Sequence, residues 1–199
     1  TNESYQVIFP PDVDWATFHA KTDFAPWPLA RGPFVGRDFA PGTDLSFWKS
    51  HPYPISFFVY RSQSDFLGGY DHGRRAGVVH VADRDTMPGK KFWTWGNGPD
   101  GRMWDQILTD EDGPYIELMT GGYSDNQPDY SWIQPGETRT VVHYWYPVRD
   151  LGGVKAATLE GALNLEVKDG RARIAANTTR PRRDARVRLT AAERVVFEA

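Results

Sequence analysis

Short runs of alternating apolar and polar residues, broken by Gly, Pro, Asn or Asp, recur along this chain and predict strands. Residues 1–10 form the first, stopped by Pro10 and Pro11. Three more follow at Ile55–Tyr60, Asp65–Gly73 and Ala76–Ala82, and Asp85–Gly96 predicts a turn into a further alternating strand. A strand beginning at Tyr115 carries Glu117, then meets a turn rich in Gly, Asp, Asn and Pro. Along Thr138–Pro147, Thr140, Val142, Tyr144 and Tyr146 fall on one face and Val141, His143 and Trp145 on the other. Large side chains on both faces predict a strand held between two layers.

Residues 11–50 keep neither a strand nor a helix period and hold many prolines, glycines and aromatics. They predict an ordered loop packed over the mouth of a β-scaffold, with one short helical turn near Asp12–Phe18. Residues Asp100–Thr109 read as a single helical turn or an irregular loop. After residue 151 the pattern changes to short strands at Leu163–Val167, Ala172–Ala176, Ala185–Leu189 and Arg194–Phe197. The expected class is all-β, divided into a main domain at 1–153 and a C-terminal β extension at 154–199, the opening of a second sandwich.

Composition narrows the function. With 199 residues the chain can bury one sizeable core. A net charge of −3 gives no footprint for nucleic acid or an acidic membrane surface. No apolar run approaches a membrane span, no signal peptide is visible, and the absence of cysteine fits a reducing compartment, so the expected location is cytoplasmic. Eight Trp, nine Tyr and eleven Phe exceed what a core of this size needs, and the surplus suits sugar stacking or a protein interface. Neither a metal nor a cofactor is expected: the five His lack the spacing of a helical zinc site, and turn chemistry accounts for Asp125, Asn126 and Asp129.

Three stretches carry a family resemblance. Glu117, followed by Ser124-Asp125-Asn126-Gln127-Pro128 and then Pro135-Gly136-Glu137, resembles the C-terminal motif of the aldose 1-epimerases, or galactose mutarotases. Gly68-Gly69-Tyr70-Asp71-His72 resembles a segment in which that family's Asp binds sugar hydroxyls, and Thr1-Asn2-Glu3-Ser4-Tyr5 resembles its Thr-Asn-His-Ser-Tyr strand with Glu3 in place of the His. The chain looks still more similar to the DUF5107 family, mutarotase-like domains of bacterial proteins that often carry tetratricopeptide repeats (TPR). That likeness extends over most of residues 1–170. It implies the C-terminal part of a galactose mutarotase-like β-super-sandwich, whose open edge a second copy or an additional N-terminal region would cover.

Carbohydrate is the implied partner. Glu117 is the expected base, with Glu3 or His72 as the acid, and Asp71, His80, Asn126 and Gln127 as hydroxyl partners. Trp95, Trp104 and Trp132, with Tyr130 beside the last, offer stacking faces. Three functions fit these residues: a non-catalytic carbohydrate-binding domain, a glycoside hydrolase or aldose epimerase, and a structural or interaction domain of a TPR-containing protein. All site readings expect Glu3, Asp71 and Glu117 to converge on one aromatic-walled cleft.

Overall fold

Alternating residues build two antiparallel sheets that share one core. The structure, a computed structural model, describes residues 1–199. Tyr5–Ile8 (β1), Phe66–Asp71 (β5), Ala76–Ala82 (β6) and His143–Arg149 (β9) form a four-stranded sheet in the order β1-β5-β6-β9. Trp15–Thr17 (β2), Phe24–Pro26 (β3), Ile55–Val59 (β4), Gly89–Thr94 (β7) and Ile116–Gly121 (β8) form a five-stranded sheet in the order β3-β2-β4-β7-β8. Phe57 pairs with Phe92 across β4 and β7, and their rings stack at 5.2 Å. Val7 of β1, Phe9, Phe57, Phe92 and Val59 meet in the core between the sheets, with Leu118 packed at its margin.

The opposite face of the four-stranded sheet is buried too. Ile8, Phe66, Tyr70, Val79, Val81 and Val148 point away from the first core and contact Leu151, Val154 and Ala162. Those last residues belong to the C-terminal part, where Ala156–Thr158 (β10), Gly161–Lys168 (β11) and Arg171–Thr178 (β12) make a three-stranded sheet. A hairpin of Arg188–Ala191 (β13) and Arg194–Glu198 (β14) completes the chain. The protein is thus mainly β, with several antiparallel sheets and one short α-helix, Pro99–Leu108 (α1). That helix is not long and apolar enough to cross a membrane.

Three segments differ from the sequence expectations. The helical turn expected at Asp12–Phe18 is instead strand β2, and a short 3-10 turn follows at His19–Lys21. Of the loop expected over residues 11–50, β2 and β3 take two stretches, and the remainder buries Phe34, Phe39, Leu45 and Trp48. Where a single turn or loop was expected at Asp100–Thr109, the chain forms the ten-residue helix α1, with Pro99 in its first turn and the Thr109 hydroxyl donating to Asp105 O at 2.8 Å. Thr138–Val142 is not strand, because β6 ends at Ala82, the partner of His143, and offers nothing further to pair with. Strand β9 is the edge of its sheet, yet part of it does lie between two layers: Val148 and Tyr146 pack toward the C-terminal part and Trp145 against His80, while Tyr144 and Trp145 keep exposed surface.

Candidate functional site

Strand register fixes what surrounds Glu117. Ile116 and Leu118 pack on the core, so Glu117 and Met119 project from the other face of the five-stranded sheet. Glu117 lies directly opposite Trp93, which makes Lys91 and Trp95 its diagonal neighbours on that face. Trp93 meets Trp95 edge-on at 4.5 Å, and Trp95 stacks on Trp104 of α1 at 4.6 Å. Trp95 Nε1 donates to the Tyr115 hydroxyl at 3.1 Å. Two of the three expected indole platforms therefore stack on each other. Burial lowers the Lys91 pKa while the Glu117 carboxylate opposes that shift. The Lys91 ammonium stands 4.8 Å above the Phe58 ring, and the His19 ring meets Phe58 at 5.1 Å.

Lys91 also reaches the second half of the site. Its Nζ donates to Gln127 Oε1 at 2.7 Å, at the rim of a cleft of about 670 Å³ beneath the 124–130 turn. His80, His143, Trp145, Thr120 and Tyr130 line the remainder, whereas Glu117 stands outside it. His80 is 0% exposed and lies between the sheets. Burial, helped by the charges of His143 and Lys90, pushes its pKa down to about 4, so it is neutral at physiological pH. A neutral ring fits both contacts if Nε2–H donates to His143 Nδ1 at 3.0 Å and Nδ1 accepts from the Thr120 hydroxyl at 3.2 Å. That assignment leaves Nε2–H of His143 as a donor. Trp145 braces the pair, its ring 4.5 Å from His80.

Asn126 also borders this cleft, but its polar atoms serve the fold. Its Nδ2 donates to Thr17 Oγ1 and Phe18 O, both at 3.0 Å, and its Oδ1 accepts from Ala20 N at 2.7 Å. Burial and the Lys91 charge lower the His19 pKa, opposed by a side-chain hydrogen bond to Gln127. Tyr130 and Trp132 are 83% and 77% exposed, and Trp132 does not border the cleft.

The other expected site residues lie elsewhere. Asp71 closes the turn after β5, where its Oδ1 accepts from Gly73 N and Arg74 N at 2.9 Å and its Oδ2 from Asn2 Nδ2 at 2.5 Å. Burial works against the Asp71 carboxylate, yet these bonds and the Arg74 charge hold its pKa below the ordinary value. Glu3 sits exposed in the neighbouring turn before β1. His72 follows the parity of Tyr70, bonds to Gln6 Oε1 at 2.8 Å, and lies toward the far face of the four-stranded sheet. Glu117 opens on the outer face of the opposite sheet, so the expected convergence of Glu3, Asp71 and Glu117 is not found, and His72 is separated from Glu117 by the sandwich. No three His, Asp or Glu side chains are grouped as a metal site. His143, Lys91, Trp93 and Thr120 were not anticipated, although the alternation along Thr138–Pro147 already puts His143 and Trp145 on one face.

Comparison with known proteins covers nearly the whole length. A family model described as "Domain of unknown function (DUF5107)" matches residues 2–148, and one described as "YphG-like protein, second domain" matches residues 156–199. Among solved structures, that of a TPR-domain containing protein from Parabacteroides distasonis is similar, with a TM-score of 0.56 and 25% identity over 75% of this chain. The chain spans 23% of the length of that relative.

Proposed function

The chain belongs to the DUF5107 family, and from that membership we propose that it is a carbohydrate-binding domain built on the C-terminal part of a galactose mutarotase-like β-super-sandwich. The observation that carries this reading is the continuity of an aromatic face with a polar cleft through Lys91. Trp93 and Trp95 flank Glu117 on one side, and Gln127, His143 and Trp145 surround the cleft on the other. Flat apolar faces beside convergent donors and acceptors suit a pyranose, which presents C–H faces and hydroxyl edges. The volume lies within the range of roughly 300–1,000 Å³ typical of small-molecule sites.

The geometry favours binding over an epimerase or hydrolase reaction that pairs Glu117 with Glu3 or His72. General acid–base chemistry needs both groups within hydrogen-bond reach of one substrate, and neither partner shares the Glu117 face. Titration calorimetry with neutral mono- and oligosaccharides tests the reading. Saturable binding is expected, with Trp145→Ala weakening it about tenfold, equivalent to about 1.4 kcal/mol. Glu117→Gln should change affinity little and reveal no lost turnover. Failure of every saccharide to bind would sink the proposal, and a turnover abolished by Glu117→Gln would make the domain an enzyme.

A second reading is an interaction domain within a TPR-containing protein. It is supported by exposed Tyr130, Trp132, Ile133, Val141 and Val142, and by the unpaired edges of β8 and β9, which a partner chain would cover.

A further inference from the structure

A second cavity shares no lining residue with the Lys91 cleft and sits at the seam between the stretches matched by the two family models. Its volume is about 460 Å³, and Gln6, Asp14, Ser46, Lys155, Asn164 and Glu166 supply its polar lining. Asn164 of β11 is 2% exposed. Its Nδ2 donates to Leu151 O at 2.9 Å and to Glu166 Oε1 at 3.0 Å. Both partners are acceptors, so the amide cannot be flipped without losing both bonds. Asn164 Oδ1 is thereby fixed as an acceptor, and it has no donor. Asn164 is itself closed to solvent, so it holds the wall and the Glu166 carboxylate in place, while the acceptors open to the cavity are Asp14 and Glu166.

The surrounding residues define what those acceptors can take. Gly152 and Gly153 adopt φ of +78° and +139°, where a side chain would be strained, and an added Cβ at Gly152 would come within 3.2 Å of Glu166 Oε1. Glycine at both positions keeps the wall beside the amide and carboxylate clear. Asp14 and Glu166 disfavour an anion. Lys155 on the rim, and Arg173 at 3.7 Å from Glu166 Oε2, disfavour a cation. Trp27 and Phe9, whose rings lie 4.6 Å apart, provide an apolar wall.

We propose that this seam is a second binding site, which takes a small neutral polyhydroxylated molecule, the size of one sugar residue, whose hydroxyls donate to the Asp14 and Glu166 carboxylates. The site is independent of the Lys91 cleft. It joins the DUF5107-matched stretch to the C-terminal one through a shared ligand.

Amide-detected NMR of the full chain, titrated separately with D-glucose and D-galactose, tests it. Saturable shifts are expected at the Gly152 and Gly153 amides and at the Asn164 side-chain NH₂ with at least one of the two sugars. Asn164→Leu should abolish them, and Asp14→Ala, at an exposed position that does not threaten folding, should weaken the apparent affinity at least about fivefold. Trp145→Ala should leave them unchanged. Shifts at the seam without any at Lys91 or Trp145 would uphold this site while removing the Lys91 cleft as the place where a sugar binds. The inference is overturned if neither sugar produces saturation, if Asp14→Ala has no effect, or if inorganic phosphate shifts the same amides more strongly.

Discussion

Asn126 binds the 124–130 turn to a strand more than a hundred positions earlier, through bonds to Thr17, Phe18 and Ala20. At 3% exposure, its removal leaves the Phe18 carbonyl and the Thr17 hydroxyl without their donor. Asn126→Ala is therefore expected to cost about 2–3 kcal/mol, read as a lower urea midpoint, and to loosen the roof of the Lys91 cleft. The adjacent Asp125 makes a useful contrast. Its 2.9 Å ion pair with Lys21 is partly solvated, and Asp125→Ala should cost less than about 1 kcal/mol. Sequence does not separate these neighbours, since both suit a turn and both can contact a sugar. What distinguishes them is burial against β2, a contact between segments far apart in the chain. The same holds for Asp71, which resembles a sugar ligand in sequence and closes a turn in the fold.

At the level of elements, the clearest alternating runs were legible. The expected strands around residues 55–60, 65–73 and 76–82 appear as β4, β5 and β6. Helix α1 was under-read because Asp100-Gly101 is a turn signal and Gly is a poor helix former. Gly101 is there for space: a Cβ at this position would lie 2.2 Å from Gly96 O. Ala normally gains about 1 kcal/mol over Gly inside a helix, but a backbone clash of this depth forces α1 away from the Trp95 stack. Gly101→Ala should thus destabilise by about 1–3 kcal/mol, against the propensity scale, and a calorimetric melting curve gives the sign. Thr138–Val142 shows the converse error. Its alternation suits a strand, but a strand also needs a neighbour, and the length of β6 is not written in that segment.

At the scale of the whole molecule, three layers bury two histidines in neutral form. Burial pushes both His51 and His80 down to about 4, against about 6.5 in an unfolded chain. Between these values the unfolded state binds more protons. The stabilisation is therefore complete above pH 6.5 and is lost progressively as pH falls toward 4. Urea midpoints at pH 7, 5.5 and 4.5 should decline steadily, by up to roughly 3 kcal/mol per histidine, and a flat profile over this window would refute the claim. The mainly β character and the family were legible from the chain; the arrangement of the site was not, because Lys91, His80 and Trp145 meet only through the pairing and packing of separate sheets. The double-sided middle sheet also governs how the protein can be divided. Leu151, Val154 and Ala162 roof Tyr70, Val79, Val81 and Val148, so trimming at residue 148, where the first family match stops, would strip an apolar floor bare. The boundary recorded by ancestry is not a mechanical joint, and a shortened version would need new polar residues on that floor to stay in solution.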